Sequence, residues 1–297
     1  MGSTFTGYSC GAEAEARPPA IHPVRTAETV ISQDLVYAAG RQSNNRLDVY
    51  SPRVGSLHPV VIFFHGGKFS SGDKTSSVFN KPWAFTSRGF VLVSVDYRLS
   101  PEVKYPLHVQ DVAASIAWVR KNIKRYGGDP QSLFVMGHSA GAQLAALVAT
   151  DPQFLANYGL TPATLNGAIL LDGGTYNLVA TARSSSRHDL LLSVFGRDSR
   201  IWWQASPIKH VKAGHGIPPF LVIYIPNRVD ATAQALAFAN ALKKSSVQTT
   251  VVAVTGKTHA ELNEELGLPN DRPTQAVFQF LSQQSKSKDQ SVVSRAN

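Results

Sequence analysis

Short apolar runs of strand length alternate along the chain with stretches in which apolar residues recur with a helical period. Many of these runs are continuous in Val, Ile, Leu and Phe, which is typical of strands buried on both faces of a parallel sheet. The predicted strands are residues 46–50, 60–64, 90–96, 133–137, 167–171, 220–225 and 250–254. One helical face between two of them consists of Val109, Val112, Ala113 and Ile116. Further helices are predicted at 230–245 and 273–284. The alternation predicts an α/β fold, with a mainly parallel sheet and helices on both faces.

The polar ends of the chain set the expected domain limits. Residues 1–25 are small, polar and proline-bearing, without the apolar stretch of a signal peptide, so we expect a flexible arm. Residues 285–297 are expected to form a polar tail. No linker divides residues 26–284, which predicts a single domain. Within it, residues 173–217 interrupt the alternation, and they form either a small cap over the site or a loop with one ordinary helix.

Composition narrows the range of partners. The chain has 297 residues, of which 43% are hydrophobic and 16% charged, as expected for a globular protein. No run reaches the roughly 18 apolar residues of a membrane helix. The formal net charge is +9, but the basic residues are scattered, so no nucleic-acid partner is expected. The single Cys10 excludes an internal disulfide and a cysteine metal cluster. We expect a cytoplasmic monomer or homodimer.

The strongest chemical signal is the segment Gly137-His138-Ser139-Ala140-Gly141. A predicted strand precedes it and a helical pattern follows it, which is the context of a nucleophilic serine on a sharp strand-to-helix turn. Glycines two positions before and after the serine give the strand and helix room to approach. Ser139 is therefore the predicted nucleophile.

A serine hydroxyl needs a base and an orienting acid. His259 follows the last predicted strand, near the carboxyl end of the sheet where the Ser139 turn also lies, and is the predicted base. Two acids are open. Asp230 follows strand 220–225 and gives the chain order Ser, Asp, His, so it is preferred. Asp172, directly after strand 167–171, is the alternative. Asp230 could also cap the helix that follows it.

A second glycine-bearing loop, His65-Gly66-Gly67-Lys68-Phe69, follows strand 60–64. Acyl transfer places negative charge on a carbonyl oxygen, and backbone N–H groups can stabilise that charge where no side chain crowds the approach. Gly66 and Gly67 are predicted donors of this oxyanion site, together with Ala140, the residue after the nucleophile.

Several segments carry a family resemblance. They are HGGKFSSGDK from His65, DYRLSPEVKYP from Asp96, YGGDPQSLFVMGHSAGAQLAALVATD from Tyr126, RVDATAQA and GKTH. The chain resembles an α/β-hydrolase of the hormone-sensitive-lipase-like carboxylesterase group, and is similar to the neighbouring arylformamidase and feruloyl-esterase-like branches. The resemblance implies Ser139, Asp230 and His259 as the triad and Gly66, Gly67 and Ala140 as oxyanion donors.

Three departures from the family pattern leave the branch open. Many lipase-like members have a third glycine where this chain has Lys68, and the formamidase branch usually has Trp where it has Phe69. The family also normally has a Gly-x-x-Asp pattern around the acid, whereas here Asn227-Arg228-Val229 precede Asp230.

The expected activity is that of a cofactor-free serine carboxylesterase, which cleaves short-chain or compact aromatic esters through an acyl-enzyme. The alternatives are an arylformamidase acting on N-formylkynurenine-like amides and a non-catalytic ligand-binding relative. No metal is expected, and the partner is a small-molecule ester. The predicted substrate-binding residues are Phe69, Trp202, Trp203 and His138.

Overall fold

Eight strands form one sheet in the computed structural model, which describes residues 29–38, 45–182 and 188–293. The predicted arm, with Cys10, lies outside the described residues. The strands are β1 Thr29–Val36, β2 Arg46–Pro52, β3 His58–Phe64, β4 Val91–Val95, β5 Gly128–His138, β6 Leu165–Leu171, β7 Phe220–Tyr224 and β8 Thr249–Ala253. All seven predicted strands are present, with shifted ends.

The sheet order is β1-β2-β4-β3-β5-β6-β7-β8. The pairs β1/β2 and β2/β4 are antiparallel, and every other neighbouring pair is parallel. This confirms the predicted mainly parallel sheet. Parallel strands place their carboxyl ends at one edge, so the loops after β3, β5, β6, β7 and β8 lie close together there.

Strand β1 was not predicted from the sequence. It lies at the edge of the sheet, its register shifts between Ser32 and Leu35, and Val30 and Ile31 are exposed. A half-exposed strand with such an irregularity lacks the continuous apolar run that reveals the buried strands.

Ten α-helices are described. They are α1 Lys81–Thr86, α2 Leu107–Asn122, α3 Ala140–Thr150, α4 Pro152–Ala156, α5 Leu178–Thr181, α6 His188–Phe195, α7 Ser199–Gln204, α8 Val229–Lys244, α9 His259–Glu264 and α10 Arg272–Val293. The last helix passes residue 284, where the predicted helix ends and the predicted tail begins. None of the described helices is long and apolar enough to cross a membrane.

The core has two layers, one on each face of the sheet. Side chains of β3 alternate between them, with Ile62 and Phe64 on one face and Val61 and Phe63 on the other. Helices α2, α3 and α8 pack on the first face, and α1 and α10 cover the second. Since residues 60–64 of β3 are fully buried, both of their faces must be apolar, which is why this part of the strand is a continuous apolar run.

The segment 173–217 contains three short α-helices, α5 to α7, and a 3-10 turn, Pro207–His210. Trp202 is mostly buried within it, and its indole N–H donates to the carbonyl of Gly196 at 2.8 Å. The sequence left two interpretations open for this segment, a small cap or a loop with one ordinary helix. The three short helices differ from the second of these. Residues 183–187 of this segment lie outside the described residues.

Candidate active site

Ser139 occupies a strained turn between β5 and α3. Its backbone has φ 55° and ψ −112°, a conformation that is costly for a residue with a side chain. The neighbouring glycines make the turn feasible. A Cβ on Gly137 would lie 2.1 Å from the carbonyl oxygen of Gly141, and a Cβ on Gly141 would lie 2.1 Å from that of Phe64. The turn therefore has the geometry predicted for a nucleophilic serine, and Ser139 is half-buried there.

His259 begins helix α9, after β8. The side chain of Thr258 accepts a hydrogen bond from the backbone of Glu261, whose side chain accepts one from the Thr258 backbone, so a capping box fixes the start of this helix. The Nε2 of His259 lies 2.9 Å from the Oγ of Ser139. The predicted nucleophile and base are thus within hydrogen-bond distance, although 120 residues separate them in the chain.

The carboxylate beside His259 is Asp172, the alternative of the two predicted acids. Its Oδ2 lies 2.7 Å from the Nδ1 of His259, and its Oδ1 accepts a hydrogen bond from the Ile225 N–H at 3.2 Å. Asp172 follows β6 directly, with φ 49°, and is 1% exposed. Ser139, His259 and Asp172 therefore form one hydrogen-bonded chain.

The preference for Asp230 does not agree with this geometry. Asp230 is exposed and lies in the first turn of α8, where its charge suits the helix N-terminus. The loop after β7 places Arg228 beside His259. Helix α8 begins at the next residue, so Asp230 already belongs to that helix and not to the loop.

Arg228 is a site residue that sequence reasoning missed. Its Nη1 contacts the Oδ2 of Asp172 and lies 2.8 Å from the Nδ1 of His259. Burial alone would raise the pKa of Asp172, but the hydrogen bond with His259 and the Arg228 charge outweigh it and lower that pKa. The sequence signal that could have revealed Arg228 was a basic residue in a loop at the carboxyl edge of the predicted sheet.

His138 packs against the other side of the base. Its ring centroid is 4.5 Å from that of His259, and its Nε2 is 3.0 Å from the His259 carbonyl oxygen. Burial, with a smaller contribution from His259, lowers the pKa of His138 to about 3. The ring is therefore neutral at physiological pH and donates its Nε2 proton to that carbonyl.

The loop after β3 approaches Ser139 closely. A Cβ on Gly66 would lie 3.2 Å from the Cβ of Ser139 and 2.9 Å from the Nδ1 of His138. Gly67, Lys68 and Phe69 all have positive φ, at 115°, 56° and 63°. This backbone brings the predicted donors Gly66 and Gly67 to the same edge as Ala140, the first residue of α3.

The site opens into a cavity of about 640 Å³. Ser139 and His259 line it together with Phe69, Phe79 and Leu190, and charged groups are contributed by Lys68, Arg228 and Glu264. Leu190 belongs to α6, so the segment 173–217 supplies part of the cavity wall. This wall is partly apolar, and it can hold an acyl group of modest size.

Of the four predicted substrate-binding residues, two line the cavity and two do not. Phe69 and His138 line the cavity, and Phe69 packs edge-on against His108 and Phe195. Trp202 and Trp203 are not among the lining residues. The Trp202 ring is turned inward onto His188, and Trp203 is 43% exposed. On a short helix, neighbouring residues point in different directions, and neither direction leads to the cavity.

Comparison with known proteins places the chain in a family. The profile of the BD-FAE family matches residues 47–227, more than half of the chain and most of the sheet. The chain belongs to the BD-FAE family. The matched range extends from the second residue of β2 to Asn227 in the loop after β7, and it includes the Ser139 turn, the loop after β3 and Asp172. Arg228 and His259 lie beyond it.

Curated relatives of this BD-FAE protein include two Mycobacterium tuberculosis esterases. Esterase LipQ is 29% identical over 89% of this chain and 64% of its own length. Esterase LipC is 31% identical over 71% of this chain and 54% of its own length. The chain therefore spans between about half and two thirds of the length of these relatives.

Solved structures show the α/β-hydrolase fold. Esterase B from Lactobacillus rhamnosis has a TM-score of 0.73 at 20% identity, over 89% of this chain and 88% of that chain. The thermophilic carboxylesterase EstE1, cloned from a metagenomic library, has a TM-score of 0.67 at 24% identity, over 86% and 89%. Together with the family match, these similarities confirm the resemblance to the α/β-hydrolase carboxylesterase group.

Within the described part of the chain, no group of three or more His, Cys, Asp and Glu side chains is arranged to hold a metal ion. The site described above consists of the hydrogen-bonded chain, the glycine loop and the cavity.

Proposed function

We propose that this BD-FAE protein is a serine hydrolase that cleaves carboxylic esters through an acyl-enzyme intermediate. The observation that carries the proposal is the chain Asp172–His259–Ser139, with contacts of 2.7 Å and 2.9 Å, at the wall of an open cavity. This is the arrangement by which a serine hydroxyl becomes a nucleophile. The relatives LipQ and LipC, which are named esterases, support the same reaction class.

In the first half of the reaction, the Oγ of Ser139 attacks the ester carbonyl carbon while the Nε2 of His259 accepts its proton. Asp172 holds the Nδ1 proton of His259 and stabilises the imidazolium that forms. The tetrahedral intermediate then collapses, the bond to the alcohol oxygen breaks, and His259 returns the proton to the departing alcohol.

In the second half, water replaces the alcohol. His259 accepts a proton from the water as its oxygen attacks the acyl carbon, and the bond to the Ser139 Oγ breaks when that proton returns to the serine. The carboxylic acid leaves. The N–H groups of Gly66, Gly67 and Ala140 stabilise the oxyanion in both halves, and their backbone needs no reorganisation because the loop is already folded.

The cavity wall favours a small substrate. Phe69, Phe79 and Leu190 provide apolar surface, and charged groups surround it at Lys68, Arg228 and Glu264. Each methylene that fits is worth about 0.8 kcal/mol of burial, so the rate should rise over the first few acyl carbons and then fall. The proposed substrates are acetyl to hexanoyl esters or compact aromatic esters.

An arylformamidase would use the same three residues. Two of the predicted substrate-binding residues, Trp202 and Trp203, would suit the flat aromatic ring of its substrate, but neither lines the cavity. The ester is therefore the preferred substrate, and turnover of N-formylkynurenine is the comparison that decides between the two.

The test is hydrolysis of p-nitrophenyl esters with two to sixteen acyl carbons by the purified chain and by Ser139→Ala. Wild type should have its highest rate at six carbons or fewer, and Ser139→Ala should lose turnover by about 10⁶-fold. A fluorophosphonate should label wild type and leave Ser139→Ala unlabelled. Near-normal turnover by Ser139→Ala would refute the proposed nucleophile. A rate that is highest for acyl chains of twelve carbons or more would refute the proposed acyl length.

Other expectations stay predictions. These are a single domain over residues 26–284, a cytoplasmic location, a monomer or homodimer, and a small-molecule substrate without a nucleic-acid partner.

A further inference from the structure

Two buried aromatic rings support the loop after β3. His65 directly follows β3, Tyr97 lies shortly after β4, and each residue is 1% exposed. Their rings stack with centroids 4.4 Å apart and planes 13° apart. At one edge the imidazole meets Gly72, where a Cβ would lie 2.6 Å from the His65 Nδ1. Packing therefore holds both rings in one orientation.

Each ring donates a hydrogen bond to a carbonyl of this loop. The Tyr97 hydroxyl donates to the His65 carbonyl oxygen at 2.9 Å. Burial raises the pKa of Tyr97, so the hydroxyl keeps the proton that it donates. The Nδ1 of His65 lies 2.7 Å from the Gly66 carbonyl oxygen. A carbonyl can only accept, so Nδ1 carries a proton and donates it.

The other ring nitrogen shows what the histidine contributes. Burial lowers the pKa of His65, so the ring is neutral and its single proton is the one on Nδ1. Its Nε2 is buried, and within the described part of the chain no group hydrogen-bonds to it. A buried nitrogen without a partner costs stability, and an apolar ring in the same place would avoid that cost. What the histidine adds is therefore the Nδ1 donor.

The two carbonyls belong to the peptide groups that carry the proposed oxyanion donors. The His65 carbonyl shares a peptide group with the Gly66 N–H, and the Gly66 carbonyl shares one with the Gly67 N–H. A trans peptide group is planar, and its N–H points opposite to its C=O. Fixing each carbonyl therefore fixes the direction of one N–H. Among the described residues, no backbone carbonyl accepts from either N–H, as expected of donors that serve a ligand.

We propose that His65 and Tyr97 are positioning residues that direct the N–H groups of Gly66 and Gly67 at the oxyanion. The inference rests on the proposed function, because the oxyanion forms in that reaction. Neither ring is among the groups that line the cavity, so each acts through the backbone. Tyr97 fixes the Gly66 N–H, and His65 fixes the Gly67 N–H. Loss of either bond should weaken transition-state stabilisation and leave substrate binding nearly unchanged.

The first test is Tyr97→Phe, which keeps the stacked ring and removes only the hydroxyl. Removal of a whole oxyanion donor costs about 10²–10³ in kcat, and a misdirected donor keeps part of its effect. We expect kcat and kcat/KM for a short p-nitrophenyl ester to fall together by about tenfold, with KM nearly unchanged.

Tyr37→Phe is the matched control, because the buried Tyr37 hydroxyl also donates to a backbone carbonyl, that of Asp96, at 2.7 Å. That carbonyl belongs to a peptide group without a proposed oxyanion donor. The kcat of Tyr37→Phe should stay close to that of wild type. An equal loss in the two variants would show a general loosening of the segment and overturn the proposal.

The second test compares His65→Asn with His65→Leu. Both lack the stacked ring, and asparagine and leucine have nearly the same shape. Only asparagine has an NH₂ group, close to the place of Nδ1, that can still donate to the Gly66 carbonyl. We expect kcat to be about tenfold higher in His65→Asn than in His65→Leu, at similar KM. Equal kcat values in the two folded variants would overturn the role of the Nδ1 donor.

Thermal melting shows which variants are folded. If Tyr97→Phe does not fold, the comparison of His65→Asn with His65→Leu tests the proposal, and if either of these does not fold, Tyr97→Phe tests it.

Inhibition by a trifluoromethyl ketone measures the oxyanion interaction itself. The Ser139 Oγ adds to the ketone carbon, His259 accepts the serine proton, and the ketone oxygen becomes the bound oxyanion. Its inhibition constant should rise in Tyr97→Phe by about the factor that kcat loses. The constant of the matching methyl ketone, which a serine attacks far less readily, should not change. An unchanged trifluoromethyl ketone constant in folded Tyr97→Phe would overturn the proposal.

The same ketone separates this proposal from the proposed function. If wild type hydrolyses no ester, the proposed function fails, and fluorine NMR of the ketone adduct still compares the affinities of wild type and Tyr97→Phe. If wild type forms no adduct either, both proposals fail. If wild type hydrolyses esters and Tyr97→Phe and His65→Leu are as active as wild type, only the positioning role fails.

Discussion

Replacing Asp172 with asparagine removes one charge and exchanges one oxygen for an NH₂ group. The Oδ1 of Asp172 accepts a hydrogen bond from the Ile225 N–H at 3.2 Å, and this N–H favours the amide oxygen in the same place. The NH₂ group then faces the Nδ1 of His259, 2.7 Å away in the wild type. Since NH₂ is a donor, Nδ1 must accept, and the imidazole proton moves to Nε2.

An Nε2 proton faces the Oγ of Ser139, at 2.9 Å, and leaves no lone pair there to accept the serine proton. Arg228 supports this idle tautomer, because its Nη1 is also a donor toward Nδ1. The loss for such a change in a serine triad is about 10⁴-fold in kcat, or about 5.5 kcal/mol of transition-state stabilisation. We expect Asp172→Asn to lose turnover by this amount.

The matched variant is Asp230→Asn. Asp230 is exposed in the first turn of α8, where its charge contributes up to about 1 kcal/mol to helix stability. Its turnover should stay within about threefold of wild type.

The assay is steady-state hydrolysis of a short p-nitrophenyl ester, with thermal melting of each variant to show that it is folded. Turnover of folded Asp172→Asn within tenfold of wild type would refute the reasoning, and so would a larger loss in Asp230→Asn than in Asp172→Asn.

Two further predictions concern stability. Lys68 has φ 56°, which costs a residue with a side chain about 1 kcal/mol, so Lys68→Gly should raise the free energy of unfolding by up to about 1 kcal/mol. In the same urea titration, Ala237→Gly at an exposed position in the middle of α8 should lower it by about 1 kcal/mol. Lys81 is fully buried, and burial lowers its pKa from 10.5 to about 7, so between these pH values the unfolded chain binds a proton that the folded chain does not. The free energy of unfolding of wild type should therefore rise by about 1 kcal/mol per pH unit relative to Lys81→Met from pH 7 to 10, and a flat difference would contradict the burial argument.

The parts of the fold that could be predicted are those with a local cause. A stretch of strand that is buried on both faces must be apolar, so residues 60–64 of β3 and 133–136 of β5 are visible in the sequence as continuous apolar runs. The Ser139 turn needs glycines at Gly137 and Gly141, because a Cβ there would meet backbone at 2.1 Å. The edge strand β1 has no such requirement, since it is half exposed.

The acid could not be chosen from the sequence, because both candidates follow a strand and both precede His259. The choice depends on where a side chain points after the strand ends. At Asp172 the backbone turns at once, with φ 49°, and aims the carboxylate at the imidazole. Asp230 comes further from its strand, as the second residue of helix α8, and its side chain is exposed. Trp202 and Trp203 show the same limit, since their position near the site does not bring their rings into the cavity.

This chain has Lys68 where many lipase-like members have a third glycine. The structure of the loop explains how a lysine is accommodated there without a change in the proposed oxyanion site. Gly67, Lys68 and Phe69 all have positive φ, and glycine is the residue that adopts this conformation at least cost. The loop is nevertheless fixed, because the N–H groups of Ser70 and Ser71 both donate to the Gly67 carbonyl at 3.0 Å, and the Ser100 N–H donates to the Phe69 carbonyl at 2.8 Å. These bonds hold the backbone whatever side chain position 68 carries, and that side chain is exposed. A glycine at position 68 would therefore lower strain in the loop, and its absence here does not argue against an oxyanion site at Gly66 and Gly67.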